Sequence, residues 1–85
     1  MDYMIVSTLR ELCIKNNWFT EGTESQYGKM FSLAKNLFKT ADREQTVHRL
    51  SDIIWLCSEN ADVTDIHKEL YAWWDKLKES DGGCR

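Results

Sequence analysis

The chain contains no proline and only four glycines among its 85 residues. Proline and glycine mark the frequent turns of many-stranded folds, so their scarcity argues against a β-sandwich and favours a few long helices. No apolar run approaches the ~18 residues of a membrane-spanning helix. The N-terminal residues also lack the basic region and long apolar block of a secretory signal. The sequence therefore predicts neither membrane insertion nor export.

Cysteine and charge narrow the class of protein further. Cys13, Cys57 and Cys84 form an odd set without a pairing pattern, which is typical of a reducing cytoplasm rather than of a disulfide scaffold. The formal net charge is −3, whereas tight binding to nucleic acid usually needs a basic surface. The length predicts one small domain over 1–80, and the cysteines indicate the cytoplasm. Gly82 and Gly83 predict that the last helix ends there and that the tail over 81–85 is disordered.

The segment 47–57 is the most apolar part of the chain, and its pattern is helical. Five consecutive apolar residues, 53–57, also fit a short buried strand, but the apolar spacing extends back beyond them and favours a helix. Trp55 and Leu56 fall outside the inward stripe of this helix. The helix must therefore be flanked by several elements or offer one side to a partner. The stripe consists of Val47, Leu50, Ile54 and Cys57.

Apolar residues recur with the same period along the rest of the chain, so the sequence predicts an all-α fold, a compact four-helix bundle-like domain. The Asn16–Asn17 pair indicates a helix end, because Asn tolerates the left-handed conformation. Thr23 and Gln26 match a capping box. The third helix has two candidate caps, Asp42 and Thr46, which leave its start open by about four residues. The predicted helices span about 2–16, 24–38, 46–58 and 64–80.

No arrangement of residues indicates catalysis or a cofactor. The candidate metal ligands Cys13, Cys57, His48 and His67 lack the short spacings of common zinc sites. His48 and Asp52 lie one turn apart on an outer face, but no nucleophile motif accompanies them. The sequence therefore predicts no catalytic residue, no metal and no cofactor.

Apolar side chains that lie off the inward stripes or in connections predict a surface that binds a protein partner, since Trp and Tyr often dominate interface energy. A lid that closes the bundle end is the alternative role for the Trp18–Phe19 pair. A homodimer is the alternative occupant of the surface. The predicted contact residues are Trp18, Phe19, Trp55, Leu56 and Tyr71, with Glu59, Asp62 and Asp65 as an acidic rim.

The alternative function is a small nucleic-acid-binding regulator. The net negative charge and the apolar third helix disfavour it, because a recognition helix is rich in polar and basic residues. This interpretation requires four cations from two helices to converge on one patch. These cations are Lys35, Lys39, Arg43 and Arg49.

Two segments, Asn17–Tyr27 and Ile53–Ser58, resemble short uncharacterised proteins encoded by phages, prophages and other mobile elements of Gram-positive bacteria. The similarity covers roughly Leu9 to Leu70. The resemblance implies a small accessory protein of the bacterial cytoplasm that acts by stoichiometric binding to a host or defence component, as anti-CRISPR inhibitors do. It carries no assigned functional residues over to this chain.

Overall fold

The structure, a computed structural model, describes residues 2–59 and 61–82. Over these ranges the chain forms four α-helices and no strand, which confirms the predicted fold class. Helix α4 continues two residues past its predicted end, and the last three residues of the predicted tail, 83–85, lie outside the described ranges. The helices are α1 (Asp2–Lys15), α2 (Glu24–Thr40), α3 (Arg43–Cys57) and α4 (Val63–Gly82).

Helix α1 ends in a left-handed turn at Asn17, whose φ is 59°. The amide of Trp18 donates to the carbonyl of Cys13 at 2.9 Å, and the amide of Asn17 donates to that of Ile14 at 3.1 Å. This pair of bonds is the Schellman motif, in which the residue after the left-handed one packs back on the helix. The predicted helix stop is therefore confirmed, and the turn directs Trp18 into the core.

The prediction of a capping box at the start of α2 is wrong. The hydroxyl of Thr23 donates to the carbonyl of Thr20 at 2.6 Å, and the side chain makes no capping hydrogen bond. A capping side chain usually needs an extended backbone, but Thr23 has φ −111° and ψ 17°. The hydroxyl consequently stabilises the preceding turn and leaves the helix end without a side-chain cap.

Helix α3 begins at Arg43, three residues before its predicted start. Asp42 is the cap, since its Oδ1 accepts a hydrogen bond from the amide of Gln45 at 2.8 Å. Thr46, the other candidate, is fully buried within the helix, and its hydroxyl lies 3.2 Å from the carbonyl of Leu37 in α2. The tertiary contact of Thr46 therefore belongs to the α2–α3 interface and not to a helix start.

Each helix packs mainly against two others, so the four close into a ring in which α1 meets both α2 and α4. Helices joined by short links run antiparallel: along α2 and α3, Leu37 meets Thr46 near one end and Gln26 meets Cys57 near the other. No helix within the described residues combines the length and apolar content that membrane crossing requires. Polar contacts at the other three interfaces include those of Lys39 with Asp2, Arg43 with Asp75, and Trp73 with Thr8.

The core lies along the axis of this ring, and every helix contributes to it at helical spacing. Complete burial of a Leu or Ile contributes roughly 1.5–3 kcal/mol relative to exposure, so these residues supply most of the stability. Both adjacent tryptophans of α4 contact the core, as predicted, although only Trp73 is buried. The fully buried side chains are Ile5, Leu9, Cys13, Met30, Ala34, Thr46, Val47, Leu50, Ser51, Ile54, Ile66 and Leu70.

Candidate interaction surface on helix α3

Helix α3 carries two large apolar side chains that the bundle does not cover. Trp55 is 53% exposed and Leu56 is 76% exposed, whereas their neighbours Ile54 and Cys57 are buried. Successive residues of a helix are 100° apart, and the inward positions are taken by the predicted stripe. Trp55 and Leu56 therefore point outward on either side of Asp52.

Leu56 borders a mainly apolar groove between α2 and α3. The groove has a volume of about 450 Å³ and is also lined by Gln26, Lys29, Ile53 and Cys57. The thiol of Cys57 lies 3.2 Å from Gln26 Oε1 and forms one wall. Burial raises the pKa of this thiol, so the groove offers an apolar surface rather than a reactive thiolate.

The Trp18–Phe19 pair, predicted as part of the contact surface, turns inward. Trp18 is only 3% exposed, and its carbonyl accepts a hydrogen bond from the hydroxyl of Tyr27. Phe19 is half-buried, with its ring centre 4.0 Å from that of Tyr27 and 6.3 Å from that of Phe31. The assignment of Trp18 to an exposed surface is therefore wrong, and the pair closes one end of the bundle.

Tyr71, another predicted contact residue, bridges α3 and α4. Its hydroxyl donates to Glu44 Oε2 at 2.8 Å and lies 3.3 Å from His48 Nε2. The guanidinium of Arg43 lies 4.3 Å from the centre of the ring and makes two hydrogen bonds to Asp75, at 2.8 and 2.9 Å. The hydrogen bond to Glu44 and burial raise the pKa of Tyr71. Tyr71 thus has partners within the chain.

Two histidines stack across the same interface. The rings of His48 and His67 are 4.7 Å apart and inclined by only 12°. His67 Nε2 lies 2.8 Å from the hydroxyl of Ser51, which is fully buried. No hydrogen bond joins His48 to Asp52 in the part of the chain that the structure describes. Sequence analysis missed this cluster, because it depends on the relative register of α3 and α4.

An acidic depression lies where the α1–α2 and α3–α4 connections meet. It has a volume of about 740 Å³, and its lining includes all three predicted rim residues, which are exposed. Its five carboxylates and one lysine amount to a formal charge of −4, more negative than the chain as a whole. None of the salt bridges among the described residues involves these groups. The charged residues are Glu21, Glu59, Asp62, Asp65, Lys68 and Glu69.

Two of the four cations that a nucleic-acid site would require form salt bridges with carboxylates on other helices. Lys39 lies 2.6 Å from Asp2 of α1, and Arg43 makes its bonds to Asp75 of α4. Both carboxylates have a lowered pKa because of these hydrogen bonds. Two of the four predicted cations are therefore paired with carboxylates of two different helices.

The side chains that most often bind metals, those of His, Cys, Asp and Glu, do not form a metal-binding cluster within the described residues. Among residues 2–59 and 61–82, no group of three or more His, Cys, Asp or Glu side chains could hold a metal ion. Burial raises the pKa of Cys13 to about 12, which keeps this thiol protonated within the core. Cys13 and Cys57 are both buried core residues, as their spacing predicts.

Comparison with known proteins does not assign a function to this chain. No protein-family model, curated protein or solved structure matches the chain. The resemblance to proteins of mobile elements stays a prediction from the sequence. The function is therefore inferred from the exposed apolar residues of α3 and the acidic depression beside its C-terminal end.

Proposed function

We propose that this chain is a non-enzymatic protein that binds another protein stoichiometrically through the C-terminal half of α3. The observation that carries the proposal is the exposure of Trp55 and Leu56, by 53% and 76%, on a helix whose inward stripe is buried. Covering the exposed half of a Trp removes roughly 100 Å² of surface from water, which contributes about 2–3 kcal/mol. A central Trp with an adjacent Leu is therefore a suitable anchor for an interface.

The acidic depression supports a partner with a basic rim. Ser58 and Glu59, which line it, follow Trp55 and Leu56 directly along the chain. A partner that covers the end of α3 would therefore reach the depression as well. Complementary charge accelerates association and selects against wrong partners, while the apolar anchor supplies most of the affinity. The partner surface expected here combines an apolar pocket with Lys or Arg side chains around it.

The contact between Ser51 and His67 does not form a catalytic pair that a substrate could reach. Ser51 Oγ and His67 Nε2 are 2.8 Å apart, which is a suitable distance for a nucleophile and its base. Ser51 is fully buried, however, so its hydroxyl does not border a space that a substrate can enter. The pair serves to join α3 to α4.

The resemblance to mobile-element proteins indicates the class of protein to which the partner belongs. Both resembling segments contribute residues to the proposed surface: Ile53–Ser58 includes the exposed apolar pair, and Asn17–Tyr27 includes Glu21 of the acidic depression. We therefore propose an inhibitor or modulator of a bacterial host or defence protein, of the anti-CRISPR kind, that acts in the cytoplasm. The nucleic-acid alternative has less support, because Lys39 and Arg43 are already paired with carboxylates.

Quantitative capture from a Gram-positive host extract tests this proposal. We would immobilise the native chain, the Trp55→Ala variant and a Tyr3→Ala control, since Tyr3 is an 81% exposed aromatic on α1. The native chain and the control should retain the same protein at a near-equal molar ratio. Trp55→Ala should retain at most about one tenth of that amount. Circular dichroism must show that all three proteins keep the same helical content.

Three results would contradict this assignment. Equal capture by the Trp55→Ala variant would exclude α3 as the contact surface. A dimeric mass by light scattering under reducing conditions, converted to a monomeric mass by Trp55→Ala, would assign the surface to self-association. A salt-dependent shift of labelled duplex DNA that Trp55→Ala leaves unchanged would favour the nucleic-acid regulator.

A further inference from the structure

Three potential metal ligands converge where α3 faces α4. Tyr71 Oη lies 2.8 Å from Glu44 Oε2 and 3.3 Å from His48 Nε2, and the carboxylate and imidazole atoms are 3.6 Å apart. We propose that Glu44, His48 and Tyr71 form a binding site for a divalent transition-metal ion, with Zn²⁺ as the representative. This inference is independent of the proposed function, since none of the three residues belongs to the exposed apolar pair.

The spacing of the donors suits such an ion. Zn²⁺ binds nitrogen and oxygen ligands at about 2.0–2.2 Å, which places neighbouring donors of a tetrahedral site roughly 3.3–3.5 Å apart. The three separations at this site, 2.8, 3.3 and 3.6 Å, bracket that value. An ion can therefore contact all three donors with side-chain movements of a few tenths of an ångström. Its fourth position would face solvent, because Glu44 and His48 are exposed.

Contacts around the site hold two of the ligands in place. The imidazole of His48 stacks on His67 at 4.7 Å, and His67 is tied to the buried Ser51. The ring of Tyr71 lies under the guanidinium of Arg43, 4.3 Å from its centre. Contacts of this kind restrict the two rings before an ion binds, so metal binding costs less side-chain entropy.

Charge and protons set the conditions for binding. Asp75 compensates the nearby Arg43 cation through two hydrogen bonds, and the Glu44 carboxylate attracts a metal ion. The hydroxyl of Tyr71 carries a proton, through which it donates a hydrogen bond to Glu44. A metal ion that binds the phenolate oxygen must release this proton to solvent, so binding should liberate one proton per ion and strengthen as the pH rises.

The pattern of the sequence does not reveal such a site. Glu44 and His48 are one turn apart on α3, but the third ligand comes from another helix and is a phenol. A site composed only of His, Cys, Asp and Glu ligands is not found among the described residues. The proposal therefore replaces the sequence-based expectation of no metal with a site of mixed oxygen and nitrogen ligands.

Calorimetric titration of the untagged chain with Zn²⁺ at pH 7.5 provides the test. All samples would carry Cys84→Ser, so that the thiol of the Gly-Gly-Cys-Arg tail does not compete. The parent should bind one ion, and Tyr71→Phe and His48→Gln should each weaken binding by about tenfold or more. Tyr3→Phe removes the same atom from an exposed tyrosine on α1 and should bind like the parent.

Proton release identifies the phenolate. Titrations in two buffers with different heats of ionisation should show about one proton released per ion by the parent, and a smaller number by Tyr71→Phe. The proposal is overturned if the parent takes up no Zn²⁺ at submillimolar concentrations. It is equally overturned if Tyr71→Phe and His48→Gln, folded by circular dichroism, bind Zn²⁺ like the parent.

Discussion

Two adjacent apolar pairs of this chain, Trp18–Phe19 and Trp55–Leu56, have similar composition and opposite locations. The first pair lies in the connection after α1, where Trp18 is 3% exposed and Phe19 is half-buried. The second pair lies within α3, where both side chains are more than half exposed. Hydrophobicity alone therefore does not decide which pair is available to a partner.

The backbone at each pair explains the difference. After α1, the left-handed residue Asn17 reverses the chain and aims Trp18 at the core. Within α3 the backbone has no such freedom, because successive side chains must point 100° apart. Ile54 and Cys57 already occupy the inward positions, so Trp55 and Leu56 stay outside. Where apolar pairs compete for burial, a turn can redirect its pair and a helix cannot.

Replacing the buried member of the first pair should have the largest effect. We expect Trp18→Ala to lower the free energy of unfolding by about 3–5 kcal/mol, because it leaves a cavity at a buried core position. A chain of this size has a total stability of roughly 4–13 kcal/mol, so the variant should approach the unfolding threshold. Urea denaturation followed by circular dichroism measures the change. A loss below 1 kcal/mol would show that Trp18 is not part of the core.

The rate at which Cys13 reacts with a thiol label gives a second measure of the stability that Trp18→Ala loses. Since burial raises its pKa to about 12, the folded thiol is essentially all protonated at pH 8, and labelling must pass through an opened state. A loss of about 3 kcal/mol in Trp18→Ala should raise the labelling rate roughly 100-fold. Mass spectrometry of peptides separates Cys13 from Cys57. Trp55→Ala should leave the Cys13 rate within about fivefold of the native value.

Substitution at Asn17 tests whether the left-handed turn directs the first pair inward. Asn17→Ala should cost about 1–2 kcal/mol, because a residue with a β-carbon resists positive φ. Asn17→Gly should stay within about 0.5 kcal/mol of the native chain, since Gly adopts this conformation readily. Urea denaturation of the two variants, compared side by side, measures the difference. Equal stability of both variants would exclude a role for the turn conformation.

The exposed pair should contribute least to stability. We expect Trp55→Ala to change the free energy of unfolding by no more than about 0.5–1 kcal/mol, because half of this side chain is already in water. Thermal unfolding of the native chain and the variant, each at two concentrations, measures the effect. A loss as large as that of Trp18→Ala would remove the contrast between the pairs and make Trp55 a structural residue.

Helical periodicity was sufficient to predict the fold, because each helix buries one regular stripe. The start of α3 was ambiguous, since Asp42 and Thr46 are both good capping residues, and only the packing of Thr46 against α2 decides between them. The location of Trp18 was predictable in principle, because a left-handed Asn is often followed by an apolar residue that packs back.

The polar cluster between α3 and α4 could not be predicted in the same way. Its contacts connect Glu44 with Tyr71 and His48 with His67, residues that are 27 and 19 positions apart along the chain. Their meeting depends on how far one helix slides along the other, and no local pattern records that distance. Contacts of this kind need a three-dimensional structure, whereas the exposure of Trp55 followed from the sequence of α3 alone.

The distribution of the four tryptophans also determines what optical spectroscopy can observe. Trp55 alone is more than half exposed, whereas Trp18 and Trp73 are buried and Trp74 is half-buried. A water-soluble quencher should therefore act first on the indole of α3, and the emission that survives should come from the interior. A single chromophore type thus separates events at the surface of the native chain from the loss of its interior, without any added dye.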